Sequence, residues 1–125
     1  MNNIIDQGII ATVDGELSLS LIPWNKHATC EGVFLKHLIK GEQTGGKFSC
    51  HLVKVQAGCQ ISDHIHPENW ELHEVVSGEA IGIIENRQIS YEPGTCAVIP
   101  QGKIHRVVAG DQDLYIMAKF IPALL

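Results

Sequence analysis

The chain has 125 residues, of which 45% are apolar and 18% charged, and its formal net charge is −5. At about 150 residues per domain this is one domain, long enough to bury a core without disulfide or metal staples and too short for a second domain. The apolar share excludes a disordered chain, and the negative charge disfavours a nucleic-acid backbone as partner.

Residues Met1 to Val13 carry no basic n-region, and no apolar run approaches the roughly 20 residues of a membrane span. A cytoplasmic protein with no membrane partner is the expectation. Ile and Val together number 25 against 18 for Leu and Ala, a tilt toward β-structure. Turn signals recur along the chain with short β-rich runs between them. Gly8 to Val13 and Glu16 to Ile22 flank Asp14-Gly15, a hairpin dipeptide. Residues 23–31 lack a period and read as a connection; with the hairpin they make an N-terminal stretch (residues 1–31) of the same fold, ahead of a barrel over residues 32–125. Gly32 to Lys40 and Lys47 to Gln56 follow, closed by glycine turns. Then come Glu71 to Val76, Glu79 to Glu85, Gln88 to Glu92, Thr95 to Ile99, Ile104 to Ala109 and Asp113 to Phe120. No segment carries helical spacing over three turns. The fold class is all-β, a closed barrel or double-sheet jelly roll of about ten strands. Cys30, Cys50, Cys59 and Cys96 form no CxxC pair and are expected to be reduced thiols.

Histidine carries the chemical signal. Four of the seven lie between positions 64 and 105: His64, His66, His73 and His105. On an extended backbone residues i and i+2 face one side, so His64 and His66 can aim both imidazoles at one point. Pro67 helps end that strand, and a four-residue turn can return Glu71 beside the two rings. His105 arrives from a distant strand. Three imidazoles and one carboxylate suit a first-row divalent metal (Mn, Fe, Co, Ni, Cu or Zn) better than Ca or Mg. On a six-coordinate ion such a set leaves two positions open. A structural zinc site would be closed, usually by cysteines, and none is placed to close this one.

The pattern resembles the cupin family. That family's first motif, Gly-x5-His-x-His-x(3,4)-Glu-x6-Gly, reads here as Gly58, His64, His66, Glu71 and Gly78. Its second, Gly-x5-Pro-x-Gly-x2-His-x3-Asn, reads as Gly94, Pro100, Gly102 and His105, with Ala109 in place of the final Asn. The resemblance implies a jelly-roll β-barrel, a double-stranded β-helix like that of small single-domain cupins, with the N-terminal hairpin as an extension. It also implies a metal held inside by His64, His66, Glu71 and His105. The missing Asn is not a ligand of the family's metal.

Alternation from Glu71 places His73 inside as well, either as a general acid or base or as a hydrogen-bonding group. The facing of Lys47 to Gln56 is open: Phe48, Cys50 and Leu52 share one side, and His51, Val53 and Val55 the other. If the second side faces in, His51 is a further substrate-binding imidazole. Trp70, just before Glu71, is a candidate for stacking at the cavity mouth or for plain packing. Neither Arg87 nor Arg106 is placed inward, so no carboxylate or phosphate clamp is expected. The resemblance implies a metal-dependent dioxygenase, isomerase, lyase or decarboxylase acting on a small organic acid or sugar. The alternatives are a non-catalytic binding or sensing module and a structural protein with an empty site. The hairpin and the apolar tail Phe120 to Leu125 exceed what a minimal barrel needs, and a homodimer is expected to use them.

Overall fold

The computed structural model describes residues 7–125. The first residues of the stretch read for a targeting signal, 1–6, lie outside the described residues. The strands are β1 (Ile9–Thr12), β2 (Gly15–Ser18), β3 (Asn25–Lys26), β4 (Val33–Ile39), β5 (Ser49–Val55) and β6 (Gln60–His64). They continue as β7 (Trp70–Ser77), β8 (Ala80–Ile84), β9 (Arg87–Tyr91), β10 (Cys96–Ile99), β11 (His105–Ala109) and β12 (Leu114–Ile121).

Three departures from the sequence reading have local causes. Both two-residue hairpin loops sit one position early. Thr12 pairs with Gly15, so the first loop is Val13-Asp14, where the Thr12 hydroxyl accepts from the Asp14 amide at 3.2 Å. Ile84 pairs with Arg87, so the second loop is Glu85-Asn86, and Glu85 takes a left-handed φ of 53°. The run expected to reach Ile22 ends as a strand at Ser18, whose hydroxyl caps a single 3-10 turn over Leu19–Leu21. The aperiodic connection contains β3, which pairs with β4 through Asn25 and Lys26.

All strand pairs are antiparallel. A six-stranded sheet runs β10-β7-β12-β5-β4-β3 and a four-stranded sheet β6-β11-β8-β9, with β1-β2 as a separate hairpin. Together the two large sheets make a jelly-roll barrel. Alternation puts Val53, Val55, Val75, Val107, Leu114 and Ile116 into one buried cluster between them. A second cluster lies on the opposite side of the six-stranded sheet, where Leu19 and Ile22 of the N-terminal segment cover Leu52, Cys50 and Tyr115. The buried Lys36 ammonium is satisfied there by the Leu19 carbonyl at 3.0 Å.

This second cluster settles the facing of β5. Val53 and Val55 point into the barrel and Cys50 and Leu52 into the outer cluster. All four cysteines are free. Among the described residues no helix is long and apolar enough to cross a membrane.

Candidate metal centre

Four side chains converge at one end of the barrel because three strand ends meet there. β6 ends at His64, and β11 begins at His105 directly opposite it in the ladder. His66 lies two residues beyond the end of β6, so only the first of the two histidines belongs to the strand itself. Glu71 is the second residue of β7, in the facing sheet. One ligand atom from each of His64, His66, Glu71 and His105 lies within 4.8 Å of all the others. Glu71 and His105 are buried, at 5% and 1% exposure.

The backbone sets the tautomers. His64 Nδ1–H donates to the Ser62 carbonyl at 2.8 Å, and His105 Nδ1–H donates to the Lys103 carbonyl at 3.0 Å. A carbonyl only accepts, so each Nδ1 carries the ring proton and each neutral Nε2 presents a lone pair. His105 Nε2 then faces Glu71 Oε1 at 3.1 Å, acceptor against acceptor, and His66 Nε2 stands 3.6 Å from the same oxygen. Glu71 Oε1 and His105 Nε2 are the buried side-chain polar atoms without a hydrogen-bond partner among the described residues. Converging buried lone pairs are costly unless a proton or a cation lies between them. One proton could bridge one pair, whereas a divalent ion satisfies all four groups. The site therefore fits a transition metal.

The charge balance agrees. Burial pushes the Glu71 carboxyl up, but His73 and His105 outweigh it and hold the group well below the usual carboxylate range. Burial, and then His105, lower the His64 pKa to about 4, which leaves that ring neutral and able to bind a metal. Burial lowers His66 too. His105 is the exception: burial lowers it, but the hydrogen bond from protonated His105 to Glu71 and the Lys103 carbonyl raise it.

A cavity of about 110 Å³ opens on the cluster, walled by His64, His66, Glu71 and the apolar side chains of β4, β5 and β12. A wider surface groove of about 480 Å³ beside Leu21 and Lys40 is not lined by any of the four ligands.

The family model for the cupin domain matches residues 51–118, more than half of the chain and all four ligand positions. The chain belongs to the cupin family. Similar solved structures include a predicted oxalate decarboxylase of Thermotoga maritima, with TM-score 0.76 and 21% identity over 82% of this chain and 95% of that one. KdgF of a Halomonas species has TM-score 0.71 and 22% identity over 80% and 87% of the two chains. A sugar phosphate isomerase of the cupin superfamily from Silicibacter pomeroyi has TM-score 0.70 and 24% identity over 84% and 74%. At these identities the likeness establishes the fold. No curated protein matches the chain.

In this cupin the second Glu71 oxygen is engaged. Oε2 accepts from His73 Nε2–H at 2.6 Å, and His73 Nδ1 accepts from the Tyr91 hydroxyl at 2.8 Å. One neutral tautomer of His73 satisfies both bonds. Burial, and then the Glu71 charge, push the Tyr91 phenol up, so it stays a donor. Gly82 makes room for that ring: a Cβ there would lie 2.8 Å from Tyr91 Cζ, with Cε1 nearer still. Tyr91 carried no signal in the sequence, because its partner lies on another strand and its seat is an absent side chain.

His51 is fully buried with Val53 on the inner side of β5. It is bonded at Nδ1 to His37 at 2.8 Å and at Nε2 to Ser49 at 2.9 Å, and its ring lies 5.6 Å from Phe120. Trp70 lies on the outer side of β7, half-exposed, and is not part of the cavity wall. Val107 and Ala109 point inward, whereas Arg87 and Arg106 are exposed and absent from the wall. His27, from the segment without a period, does line the cavity. Nothing in its spacing could reveal this, because its position depends on β3 pairing with β4.

Proposed function

We propose that this cupin holds one divalent transition metal through His64, His66, Glu71 and His105, and acts as a metal-dependent enzyme of the dioxygenase, isomerase or lyase type on a small organic acid or sugar. The observation that carries the reading is the pair of buried, unpartnered acceptors Glu71 Oε1 and His105 Nε2, with two further imidazoles beside them. When bound, the ion would supply a Lewis-acid centre with open coordination positions. The chain's own residues orient and enclose. The Ser62 and Lys103 carbonyls aim the His64 and His105 rings. His73 fixes one Glu71 oxygen and leaves the other free. Apolar side chains of β4, β5 and β12 line the rest of the cavity, whose volume of about 110 Å³ suits a substrate of a few carbons. The sugar phosphate isomerase and the polyketide cyclase RemF of Streptomyces resistomycificus, with similar folds, support the range of reactions considered.

The test is elemental analysis of untagged protein, followed by turnover assays with oxalate, 2-oxo acids and sugar phosphates before and after chelation. Metal-dependent consumption of one of them is expected. A second reading, a non-catalytic ligand-binding module, is favoured by the absence of arginine and lysine from the cavity wall among the described residues. Saturable binding without turnover would select it. A homodimer is part of the proposal, supported by the exposed apolar side chains Ile9, Leu17 and Leu21 of the N-terminal segment. Light scattering at the monomer mass would remove that part.

A further inference from the structure

We infer that His27 is a ligand-orienting hydrogen-bond donor in the cavity, and that with the apolar wall it selects a short aliphatic 2-oxo or 2-hydroxy acid over a phosphorylated sugar. The inference rests on the metal reading above and narrows its substrate class. His27 follows β3, and its amide donates to the Val33 carbonyl at 2.8 Å, which ties it to the start of β4. Its ring is fixed by the next turn. The amides of Thr29 and Cys30 donate to His27 Nδ1 at 3.1 and 3.0 Å. A backbone N–H only donates, so Nδ1 keeps its lone pair and the proton of the neutral ring is on Nε2.

This is the reverse of His64 and His105. Those rings, held by carbonyls, offer lone pairs; His27, held by amides, offers a proton. Its Nδ1 edge is taken up by its own turn, and Nε2 has no protein partner among the described residues. His27 nonetheless lines the same cavity as His64, His66 and Glu71. A donor held in this way lowers the ordering cost of recognising one acceptor oxygen.

The rest of the wall sets the class. Val53, Ile116 and Phe120 suit a short aliphatic body, and the volume is about 110 Å³. Among the described residues no lysine or arginine lines the cavity to balance a phosphate dianion. Two adjacent oxygens of a 2-oxo or 2-hydroxy acid suit a metal with open positions, and the remaining carboxylate oxygen is the acceptor for His27.

Two substitutions separate the two nitrogens. Asn places an acceptor near the Nδ1 position and removes the Nε2 donor. Gln places a donor near Nε2 and removes the turn acceptor. Full-length Co(II)-loaded protein is titrated with pyruvate, 2-oxobutyrate, 2-oxoisovalerate and ribose 5-phosphate, followed by the cobalt spectrum. His27→Asn is expected to weaken 2-oxo acid binding roughly tenfold at unchanged metal content, and His27→Gln to retain most of it. Nitrogen-15 NMR of the metal-free wild type is expected to find the His27 proton on Nε2. Unchanged affinity in His27→Asn, a proton on Nδ1, failure of all three oxo acids to perturb the loaded wild type, or tighter binding of the sugar phosphate would each overturn the inference. Protein that takes up no metal defeats the earlier reading instead, and the NMR result, obtained without metal, then decides the role of His27.

Discussion

Replacing Tyr91 with Phe removes one oxygen and leaves the ring in place. Tyr91 is 1% exposed, and its hydroxyl is the partner of His73 Nδ1 at 2.8 Å, in a ring that is itself 3% exposed. The substitution opens no cavity beyond that atom. It leaves a buried acceptor unsatisfied, which costs roughly 1–3 kcal/mol. For a chain of this length about 4 °C of melting temperature accompanies each kcal/mol, so the metal-free variant should melt roughly 4–12 °C lower. Metal affinity should fall as well, because His73 is what holds Glu71 Oε2 at 2.6 Å. Losing the direct partner of a metal ligand typically costs about 10–100-fold in affinity, and Tyr91 is one step further out, so about tenfold is expected. Calorimetry on metal-free protein reads the first effect, and competition against a chelator at fixed pH reads the second. An unchanged melting temperature would refute the hydrogen bond. A lower melting temperature with unchanged metal affinity would show that the Tyr91–His73 chain supports the barrel and not the ligand.

Three further outcomes are expected. Gly82→Ala should destabilise the protein by roughly 1–3 kcal/mol through overpacking, because its Cβ would meet the Tyr91 ring; an unperturbed Tyr91 environment by NMR would contradict this. Glu85→Gly should stabilise by about 1 kcal/mol or less, by relieving a left-handed φ of 53° in a hairpin turn, as read by urea unfolding. Metal-free stability should peak near pH 6.5, the ordinary imidazole value. On the acid side, burial and then His37 lower His51 to about 4, and burial and then His105 lower His64 to about 4. Between pH 6.5 and 4 the unfolded chain thus binds protons that the folded chain does not, and stability falls with pH, by about 1.4 kcal/mol per unit for each such group. On the alkaline side His105 acts in the opposite sense. Burial lowers it, but Glu71 and the Lys103 carbonyl raise it above its unfolded value. Its contribution is complete below the unfolded pKa and is lost as pH rises through the folded one. Urea unfolding between pH 4.5 and 8.5 measures both arms, and a flat profile would contradict the assignment.

The cluster of four candidate ligands was legible in the sequence because its geometry is local. His64 and His66 are separated by one residue on an extended backbone, Glu71 returns after a short turn, and only His105 needs a long-range pairing, which β6 and β11 supply. Alternation likewise placed His73, Val107 and Ala109. The facing of β5 was not legible, because the N-terminal segment covers the outer side of the sheet through Leu19 and Ile22 and makes both sides of that strand apolar. The hairpin loops were misplaced by one residue, because Thr12 caps the first and Glu85 occupies a conformation more usual for Gly or Asn in the second. Tyr91 and His27 were missed for a different reason. Each matters through a partner fixed by tertiary register, Gly82 and His73 for the one and the Val33 carbonyl for the other.

The most direct measurement is metal stoichiometry. Untagged wild-type protein, with His64→Ala and His105→Ala variants prepared identically, is equilibrated with a divalent transition metal, dialysed and analysed by elemental mass spectrometry. The account predicts close to one ion per chain in the wild type, most of it lost in each variant, while far-UV circular dichroism stays that of a β-barrel. Equal metal in all three proteins, or none in the wild type, would contradict it.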